Sequence, residues 1–303
     1  MARIGVDIGG TSVKIGVVKG DKVLKETSIK SSKQGFEKVT SDICDAILTL
    51  CKKEEVEFIG VGTRGLFENG KLTDRVLKAK DFDIESAIKK RFKNAKVLVT
   101  NDANAAAICE LNFGALKGSK CGALVTYGTG VGCGIVINGK LFEGAHKNGG
   151  EIGRTLMGVT DLSKFNLDNG TYESWAATSA LTKRAKMELS KHSNSLINKM
   201  IKGNKNKLNA VVIFDAYEKK DPWAIKLIDE HVSYISIGIA SLINFMDLDT
   251  LVLAGGISAR EHIILSKIAK NLRTKNLTLK NKCNIVISKF HNDAGLIGAA
   301  NLK

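Results

Sequence analysis

The stretch GVDIGGTSVKIGVV at residues 5–18 decides how we interpret this chain. Apolar residues flank a glycine turn and alternate with a period of two after it, which predicts strands at about 3–8 and 12–18. The turn consists of Gly9, Gly10 and Thr11. Glycine permits positive φ and has no Cβ to keep a ligand away, and the N–H groups of such a turn suit phosphate oxygens. The alternative is an ordinary hairpin, because Gly-Gly is a common turn signal.

Two charged residues border this turn. Asp7 ends the first strand and faces the same space, so its carboxylate could hold a water-coordinated Mg²⁺ beside bound phosphates. We also assign Lys14, on the second strand, to the nucleotide-binding residues.

The same design returns in the middle of the chain. Residues 122–140, GALVTYGTGVGCGIVINGK, combine an apolar strand, a glycine turn, an alternating strand and an Asn-Gly hairpin turn. This second turn consists of Gly128, Thr129 and Gly130. Such an internal repeat predicts two similar lobes whose opposed turns grip a polyphosphate. A third turn, in LVLAGGIS at 251–258, follows a short strand and could receive a nucleoside.

Five motifs resemble the ROK family of sugar kinases, which belongs to the actin/hexokinase-like superfamily. They are DIGGT at 7–11, NDANAAA at 101–107, GTGVGCGIVINGKL at 128–141, GGEIG at 149–153 and LAGGIS at 253–258. The motifs are in family order and, with DAGLIGAA at 293–300, span almost the whole chain. The resemblance implies a two-lobed α/β fold of the actin/hexokinase-like (ribonuclease H-like) type, with ATP and sugar in the interlobe cleft. We place the lobes at 1–115 plus 290–303 and at 116–289.

Asn101 and Asp102 are the candidates for the chemistry. A predicted strand ends at Thr100 and a helix follows, so Asp102 lies near the strand-to-helix junction where open α/β sheets bind ligands. A carboxylate there can accept the proton of a sugar hydroxyl as its oxygen attacks the γ-phosphorus. The alternative is a helix cap, for which Asn and Asp are favoured. By resemblance, Asp102 is the catalytic base and Asn101 a sugar ligand.

The resemblance assigns further ligands. Glu151 and Glu173 match sugar-binding glutamates, and Gly65 lies in a substrate-binding loop. The alternatives are a plain loop carboxylate for Glu151 and a helix-dipole contact for Glu173. Gly255 and Gly256 match the glycines that pack against adenine and ribose.

Three departures from the family pattern concern zinc and the sugar. Arg154 stands where many members carry a zinc-binding His, and residues 155–171 contain no cysteine, so no zinc is expected. Arg64 precedes Gly65 where a proline is usual, and RVLKAKDFDIE at 75–85 lacks the asparagine of the sugar loop. The zinc-less branch includes N-acetylmannosamine kinases and β-glucoside kinases, and AATSALTKR at 176–184 is most similar to the former.

Length and composition limit the number of domains, the cellular location and the use of the cysteines. The 303 residues suffice for two domains, and no apolar run reaches the ~20 residues of a membrane span. The amino terminus enters a strand at once, which predicts a cytoplasmic protein without a signal peptide. The six cysteines form no CxxC pair and indicate neither disulfides nor a zinc site.

The net charge of +15 raises the question of nucleic acid. The lysines are spread along the chain, and their densest cluster, at 198–207, reads as a solvated loop. We therefore expect no nucleic-acid partner and no membrane partner, and by resemblance we expect a homodimer.

The other predicted elements complete an α/β alternation. They are strands at 22–29, 56–62, 96–100 and 250–254, and helices at 35–54, 83–93, 173–190, 221–247 and 293–302, with a polar stretch after residue 62. The resulting hypothesis is a Mg-ATP-dependent kinase that phosphorylates a hydroxyl, expected to be the 6-OH, of a hexose or N-acetylhexosamine such as glucose or N-acetylmannosamine. The alternatives are a sugar-sensing ROK-type regulator, disfavoured because only six residues precede Asp7, and a non-catalytic sugar-binding protein.

Overall fold

The computed structural model describes residues 1–31, 35–52, 54–68, 70–158, 170–274 and 283–303. The chain forms two compact units, one of Met1–Leu124, Cys133–Gly150 and Ser288–Lys303, the other of Val125–Gly132 and Glu151–Ile287. The predicted lobe boundaries differ from these chiefly at residues 133–150, which group with the first unit.

Strands and helices alternate along most of the chain. The strands are β1 (Ala2–Ile8), β2 (Ser12–Lys19), β3 (Lys22–Lys30), β4 (Val56–Thr63), β5 (Leu66–Glu68), β6 (Lys71–Asp74), β7 (Ala79–Phe82), β8 (Lys96–Asn101), β9 (Cys121–Tyr127), β10 (Val131–Ile137), β11 (Lys140–Phe142), β12 (Thr250–Gly255) and β13 (Asn284–Ile287). The helices are α1 (Phe36–Cys51), α2 (Ile84–Lys89), α3 (Asp102–Phe113), α4 (Tyr172–Ala176), α5 (Thr178–Glu188), α6 (Leu196–Met200), α7 (Ala210–Glu218), α8 (Pro222–Met246), α9 (Glu261–Thr274) and α10 (Ala294–Ala300).

Two five-stranded sheets have the same strand order. The first is β3-β2-β1-β4-β8 and the second is β11-β10-β9-β12-β13. In the first, β1 and β2 form an antiparallel hairpin, whereas β1, β4 and β8 run parallel. In the second, β9 and β10 hold the places of β1 and β2, and β12 runs parallel to β13. The repeated glycine-turn hairpin is therefore confirmed as the start of two like sheets, and the α/β fold class of the actin/hexokinase-like type is confirmed with it.

A small third sheet was not predicted. Strands β5, β6 and β7 pair antiparallel in that order, within the stretch after residue 62 that was predicted only to be polar. Each has three or four residues, too few to establish a period of two. The buried side chains Phe67, Leu72 and Ala79 hold this sheet to the core of the first unit.

The long helix α8 agrees with the prediction for 221–247. Asp221 caps it by accepting a hydrogen bond from Ala224 N at 2.8 Å, and Pro222 occupies the first turn, where its missing N–H costs nothing. Asp247 ends it in the left-handed conformation. Among the described helices, none has both the length and the apolar character needed to cross a bilayer.

Two predictions for the second unit were wrong. The expected helix at 173–190 is broken at Ala177, whose ψ of 149° is extended, because the following helix α5 is anchored by its first residues to the chain near Gly128. The expected loop at 198–207 is partly helical, with α6 at its start and a 3₁₀ turn at Lys205–Lys207.

Helix α10 packs directly on the first sheet. A Cβ on Gly60 would lie 1.7 Å from Ala299 O, and a Cβ on Gly298 would lie 1.7 Å from Ala105 O. Both contacts are with backbone, so only glycine allows this approach. The last helix thus packs against β4 and against α3, the helix that begins with the candidate base Asp102.

Candidate active site

The first glycine turn is fixed from both sides. Gly9 N donates to Ser12 O at 3.0 Å, and Ser31, at the end of β3, donates through its Oγ to Gly9 O and through its N to Thr11 O. Within the part of the chain that the structure describes, the N–H groups of Gly10 and Thr11 meet no acceptor. The turn therefore offers two consecutive donors, as a phosphate-binding turn requires. Ser31 was not anticipated from the sequence.

One of the two reasons given for the glycines, a positive φ, was wrong. Neither Gly9 nor Gly10 has a positive φ. Instead, a Cβ on Gly9 would lie 3.1 Å from Ser12 O, and a Cβ on Gly10 would lie 3.3 Å from Arg64 Nη1. Close approach thus favours glycine at this turn and backbone conformation does not, while the room that glycine leaves for a ligand stays a prediction.

Asp7 carries an unusual carboxylate. Burial, aided by the nearby charge of Asp102, raises its pKa to about 6, although Lys14 opposes the shift. We find no hydrogen bond to this carboxylate among the described residues. A buried, unpaired carboxylate is favourable for a hard cation, which would neutralise it.

Asp7 fits magnesium bound mainly by water and substrate. Mg²⁺ keeps several waters and takes one or two carboxylates together with substrate phosphates. The described residues hold no cluster of three or more His, Cys, Asp or Glu side chains able to bind a metal by themselves. The residues present thus fit a metal that arrives with a nucleotide.

Lys14 is already engaged within the first unit. Its Nζ donates to Asn292 O at 3.1 Å and to Asp293 Oδ1 at 3.2 Å. The ammonium therefore ties β2 to the segment before α10, and its nucleotide role stays a prediction.

Asn101 and Asp102 lie at the junction of β8 and α3, as predicted. Asn101 is the N-cap, and its Oδ1 accepts a hydrogen bond from Ala103 N at 2.8 Å. The same N–H donates to Asp102 Oδ1 at 2.9 Å. Asn101 therefore fills the role of helix cap, which leaves Asp102 available for another.

The environment of Asp102 favours a proton acceptor. Burial raises its pKa above the ordinary 3.8, while the Ala103 N–H and the charge of Arg64 oppose the shift. A carboxylate with a raised pKa is a better base than an exposed one. The second carboxylate of the site, Asp7, is close enough for the charge of Asp102 to raise the pKa of Asp7.

Arg64 and Asp74 form an ion pair that sequence reasoning did not assign to the site. Arg64 Nε donates to Asp74 Oδ2 at 2.9 Å, and Asp74 Oδ1 accepts from Leu77 N at 2.7 Å. Asp74 is buried, and it lies on β6 of the sheet that was not predicted. The sequence offered one sign of this ion pair, which is that Arg64 stands where the family usually has a proline.

Gly65 has a clear backbone role. Its φ is +111°, and a Cβ there would lie 2.6 Å from Leu72 Cδ1. Glycine is therefore required for the chain to turn into β5. The substrate-binding role of Gly65 stays a prediction.

The second glycine turn is built like the first. Gly128 N donates to Gly130 O at 2.9 Å, and the N–H groups of Thr129 and Gly130 have no acceptor among the residues described. Ser179, on α5, donates through its Oγ to Thr129 O at 2.6 Å and through its N to Gly128 O at 3.3 Å. Two free donors again follow a braced glycine.

Glu173 supports this second turn. Its Oε2 accepts a hydrogen bond from Val131 N at 2.8 Å. A Cβ on Gly130 would lie only 2.3 Å from the same oxygen, so glycine makes room for the carboxylate. Glu173 is thus placed beside the turn, and its sugar-binding role stays a prediction.

Glu151 lies in the same unit, two residues before Gly153. Arg154 Nε donates to Glu151 Oε2 at 3.1 Å, so the arginine pairs with the predicted sugar ligand. The intervening Gly153 packs on Val131, since a Cβ there would lie 2.3 Å from Val131 O. Of the cysteine-free segment 155–171 used to predict the absence of zinc, residues 159–169 lie outside the described part of the chain.

Gly255 and Gly256 lie at the end of β12, against the end of β9. Gly255 has a φ of +83°, and a Cβ on it would lie 2.6 Å from Tyr127 O. Ser258 Oγ donates to Gly255 O at 2.8 Å. The third glycine turn is therefore adjacent to β9, the strand that leads into the turn at 128–130. A nucleoside site beside a phosphate-binding turn requires this arrangement.

Each unit thus gathers part of the predicted site. The first holds the glycine turn at 9–11, Asp7, Asp102 and the added Arg64. The second holds the turn at 128–130 with the residues that brace or adjoin it: Glu151, Glu173, Gly255 and Gly256.

Comparison with known proteins gives a consistent result. A glucokinase of Thermotoga maritima is 28% identical over 99% of this chain and 96% of its own length. An N-acetylmannosamine kinase of Escherichia coli is 27% identical over 99% of this chain and 97% of its own. The crystal structure of a ROK family glucokinase from Streptomyces griseus, in complex with glucose and AMPPNP, superposes with a TM-score of 0.86 at 26% identity, covering 99% and 98% of the two chains.

The family model of the ROK family matches residues 3–303, which is nearly the whole chain. With the repeated glycine-turn hairpins and the Asn101-Asp102 junction in place, the chain belongs to the ROK family.

Proposed function

We propose that this protein is an ATP:sugar phosphotransferase that phosphorylates the 6-OH of glucose or N-acetylmannosamine. The class is supported by the family and by relatives named glucokinase and N-acetylmannosamine kinase. The observation that carries the proposal is Asp102, a buried carboxylate at a strand-to-helix junction whose capping role is filled by Asn101.

Asp102 is the general base. The sugar hydroxyl donates its proton to Asp102 while its oxygen attacks the γ-phosphorus, and the bond to the β–γ bridging oxygen breaks as ADP leaves with the electron pair. Burial of the carboxylate raises its affinity for that proton. Proton transfer by a positioned base contributes roughly 10²–10⁴-fold to such a reaction.

The glycine turns bind the phosphates. The free N–H groups of Gly10, Thr11, Thr129 and Gly130 donate to phosphate oxygens, while Gly255 and Gly256 receive the nucleoside. Asp7 is the residue that would hold a magnesium ion, and a bound ion would neutralise charge on the phosphates. Lys14, which also faces Asp293, adds positive charge on the same sheet.

The sugar is held by hydrogen bonds from side chains. Asn101, Glu151 and Glu173 provide amide and carboxylate oxygens suited to sugar hydroxyls, and Gly65 gives the backbone room to approach. The pairing of Glu151 with Arg154 alters the charge beside one of these ligands. Binding of both substrates in an interlobe cleft, the absence of zinc, the homodimer and the cytoplasmic location stay predictions.

Coupled ADP release tests the proposal. Purified protein is supplied with Mg²⁺-ATP and glucose, N-acetylmannosamine, N-acetylglucosamine, mannose, fructose, allose or a β-glucoside. We expect one dominant turnover above the background without sugar, with glucose or N-acetylmannosamine. A product phosphorylated elsewhere than O6 would refute the regiochemistry. No turnover with any sugar, while ATP still binds, would refute the kinase and favour the sensor or the non-catalytic binding protein.

A further inference from the structure

Arg64 lies close both to the glycine turn at 9–11 and to Asp102, the candidate base. It follows β4 directly, and its Nη1 comes within 3.3 Å of the position that a Cβ on Gly10 would occupy. The guanidinium therefore touches the glycine turn whose free N–H groups face no acceptor among the described residues. Its charge also reaches Asp102, where it opposes the rise in pKa that burial causes.

Asp74 fixes the orientation of this guanidinium. The Asp74 carboxylate is itself held by Leu77 N and is buried, so it cannot follow a mobile partner. It takes only the Nε donor of Arg64. Because the guanidinium is planar and rigid, the edge formed by its two Nη groups faces a different direction from the Nε–H that Asp74 accepts.

Those Nη donors have no acceptor in the part of the chain that the structure describes. Asp74 is the hydrogen-bond partner that the described residues provide for the guanidinium, and it binds Nε alone. About a third of the arginine side chain is exposed, so the donors remain reachable by a ligand. A fork of free donors beside a phosphate turn matches two oxygens of a phosphoryl group.

We propose that Arg64 binds the γ-phosphoryl group of the nucleotide and stabilises the charge on it during transfer. The inference rests on the proposed kinase function and adds a catalytic residue to it. The bonds that form and break are those of the transfer to the sugar hydroxyl, with the proton passing to Asp102. Arg64 supplies hydrogen bonds and positive charge without taking a proton or a covalent bond.

The test compares affinities for AMPPNP and ADP, because only AMPPNP carries a third phosphoryl group. Calorimetric titration with Mg²⁺ present gives the ratio Kd(ADP)/Kd(AMPPNP) for wild type, Arg64→Gln and Arg64→Lys. The double variant Arg64→Gln/Asp74→Asn removes the buried carboxylate charge that the single variant leaves unpaired. Arg91→Gln is the matched control, since Arg91 pairs with Asp45 in the same unit and has similar exposure.

We expect the ratio to fall about 10- to 100-fold in Arg64→Gln and in the double variant, as for a lost hydrogen bond to a charged group. Arg64→Lys recovers part of it, and Arg91→Gln stays within twofold of wild type. The value of kcat with ATP falls in parallel.

A ratio within twofold of wild type in the double variant would overturn the inference. So would a change confined to KM for the sugar, which would place Arg64 on the acceptor. If the wild-type protein binds AMPPNP but does not turn over ATP with any sugar, the proposed kinase function is refuted. The ratio Kd(ADP)/Kd(AMPPNP) then still tests the role of Arg64. A wild type that binds no AMPPNP overturns both.

Discussion

Replacement of Gly130 by alanine tests whether the second glycine turn binds phosphate. The added Cβ would lie 2.3 Å from Glu173 Oε2, closer than real atoms approach. Glu173 is exposed, so there is room for its carboxylate to move away, which gives up the hydrogen bond from Val131 N. Hydrogen bonds to charged groups contribute about 1.5–3 kcal/mol, and solvent access places this one at the lower end.

The net loss of stability should be small. Alanine reduces the entropy of the unfolded chain by about 0.4–1 kcal/mol, which offsets part of the lost hydrogen bond. We expect Gly130→Ala to lower the free energy of unfolding by about 1 kcal/mol. Chemical denaturation measures it. Gly128→Ala is the control in the same turn, because a Cβ there meets no atom within 4 Å, and it should change stability by less than about 0.5 kcal/mol.

The functional effect should be larger. The methyl group and the displaced carboxylate crowd the free N–H groups of Thr129 and Gly130, so KM for ATP rises about 10-fold, equivalent to about 1.4 kcal/mol. Glu173→Gln keeps an acceptor for Val131 N and should raise KM for the sugar while leaving KM for ATP within twofold. If Gly130→Ala leaves KM for ATP unchanged, or destabilises the protein by more than about 3 kcal/mol, our account of this turn is wrong.

Three further predictions concern buried groups. Burial and the charge of Arg184 lower the pKa of His231 to about 3 in the folded protein. On acidification, His231 is therefore protonated in the unfolded chain at a higher pH than in the folded protein. Stability is therefore lost as pH falls below 6.5, by about 2 kcal/mol between pH 7 and pH 5. His231→Phe should remove that part of the pH dependence in denaturation curves, and an unchanged dependence would contradict the assignment. Gly298→Ala places a Cβ against Ala105 O, which cannot yield, and should destabilise the protein by about 3 kcal/mol or more in the same assay; a loss below about 1 kcal/mol would show that α10 can shift. Asp7→Asn should weaken binding of ATP about 10-fold with Mg²⁺ present and less than twofold with EDTA. Equal weakening in both buffers would remove Asp7 from the metal site.

The glycine turns and their strands could be predicted from the sequence because each is a local pattern. Residues 5–18 and 122–140 carry both the turn and the alternation of the flanking strands, and both became hairpins in sheets of the same order. Asp102 was placed correctly for a similar reason, since a strand followed by an alanine-rich helix fixes the junction.

The parts that were missed depend on contacts distant in sequence. Arg64 and Asp74 are brought together by three strands too short to show a period. The break at Ala177 has no proline or glycine to mark it and follows from hydrogen bonds to the turn near Gly128. For Gly9 and Gly10 the expected positive φ was wrong, and the close approach to Ser12 and Arg64 could not be predicted because it is a property of the folded chain alone.

The most direct test of the account is Asp102→Asn, assayed for turnover and for sugar binding on the same preparation. The substitution keeps the size of the side chain and its bond to Ala103 N but removes the proton acceptor. We predict that kcat falls about 10²–10⁴-fold while the Kd for the sugar stays within a few fold. Asp45→Asn, an exposed carboxylate of the same unit, should leave both unchanged. Turnover within tenfold of wild type, or sugar binding lost together with turnover, would contradict the assignment of Asp102 as the base.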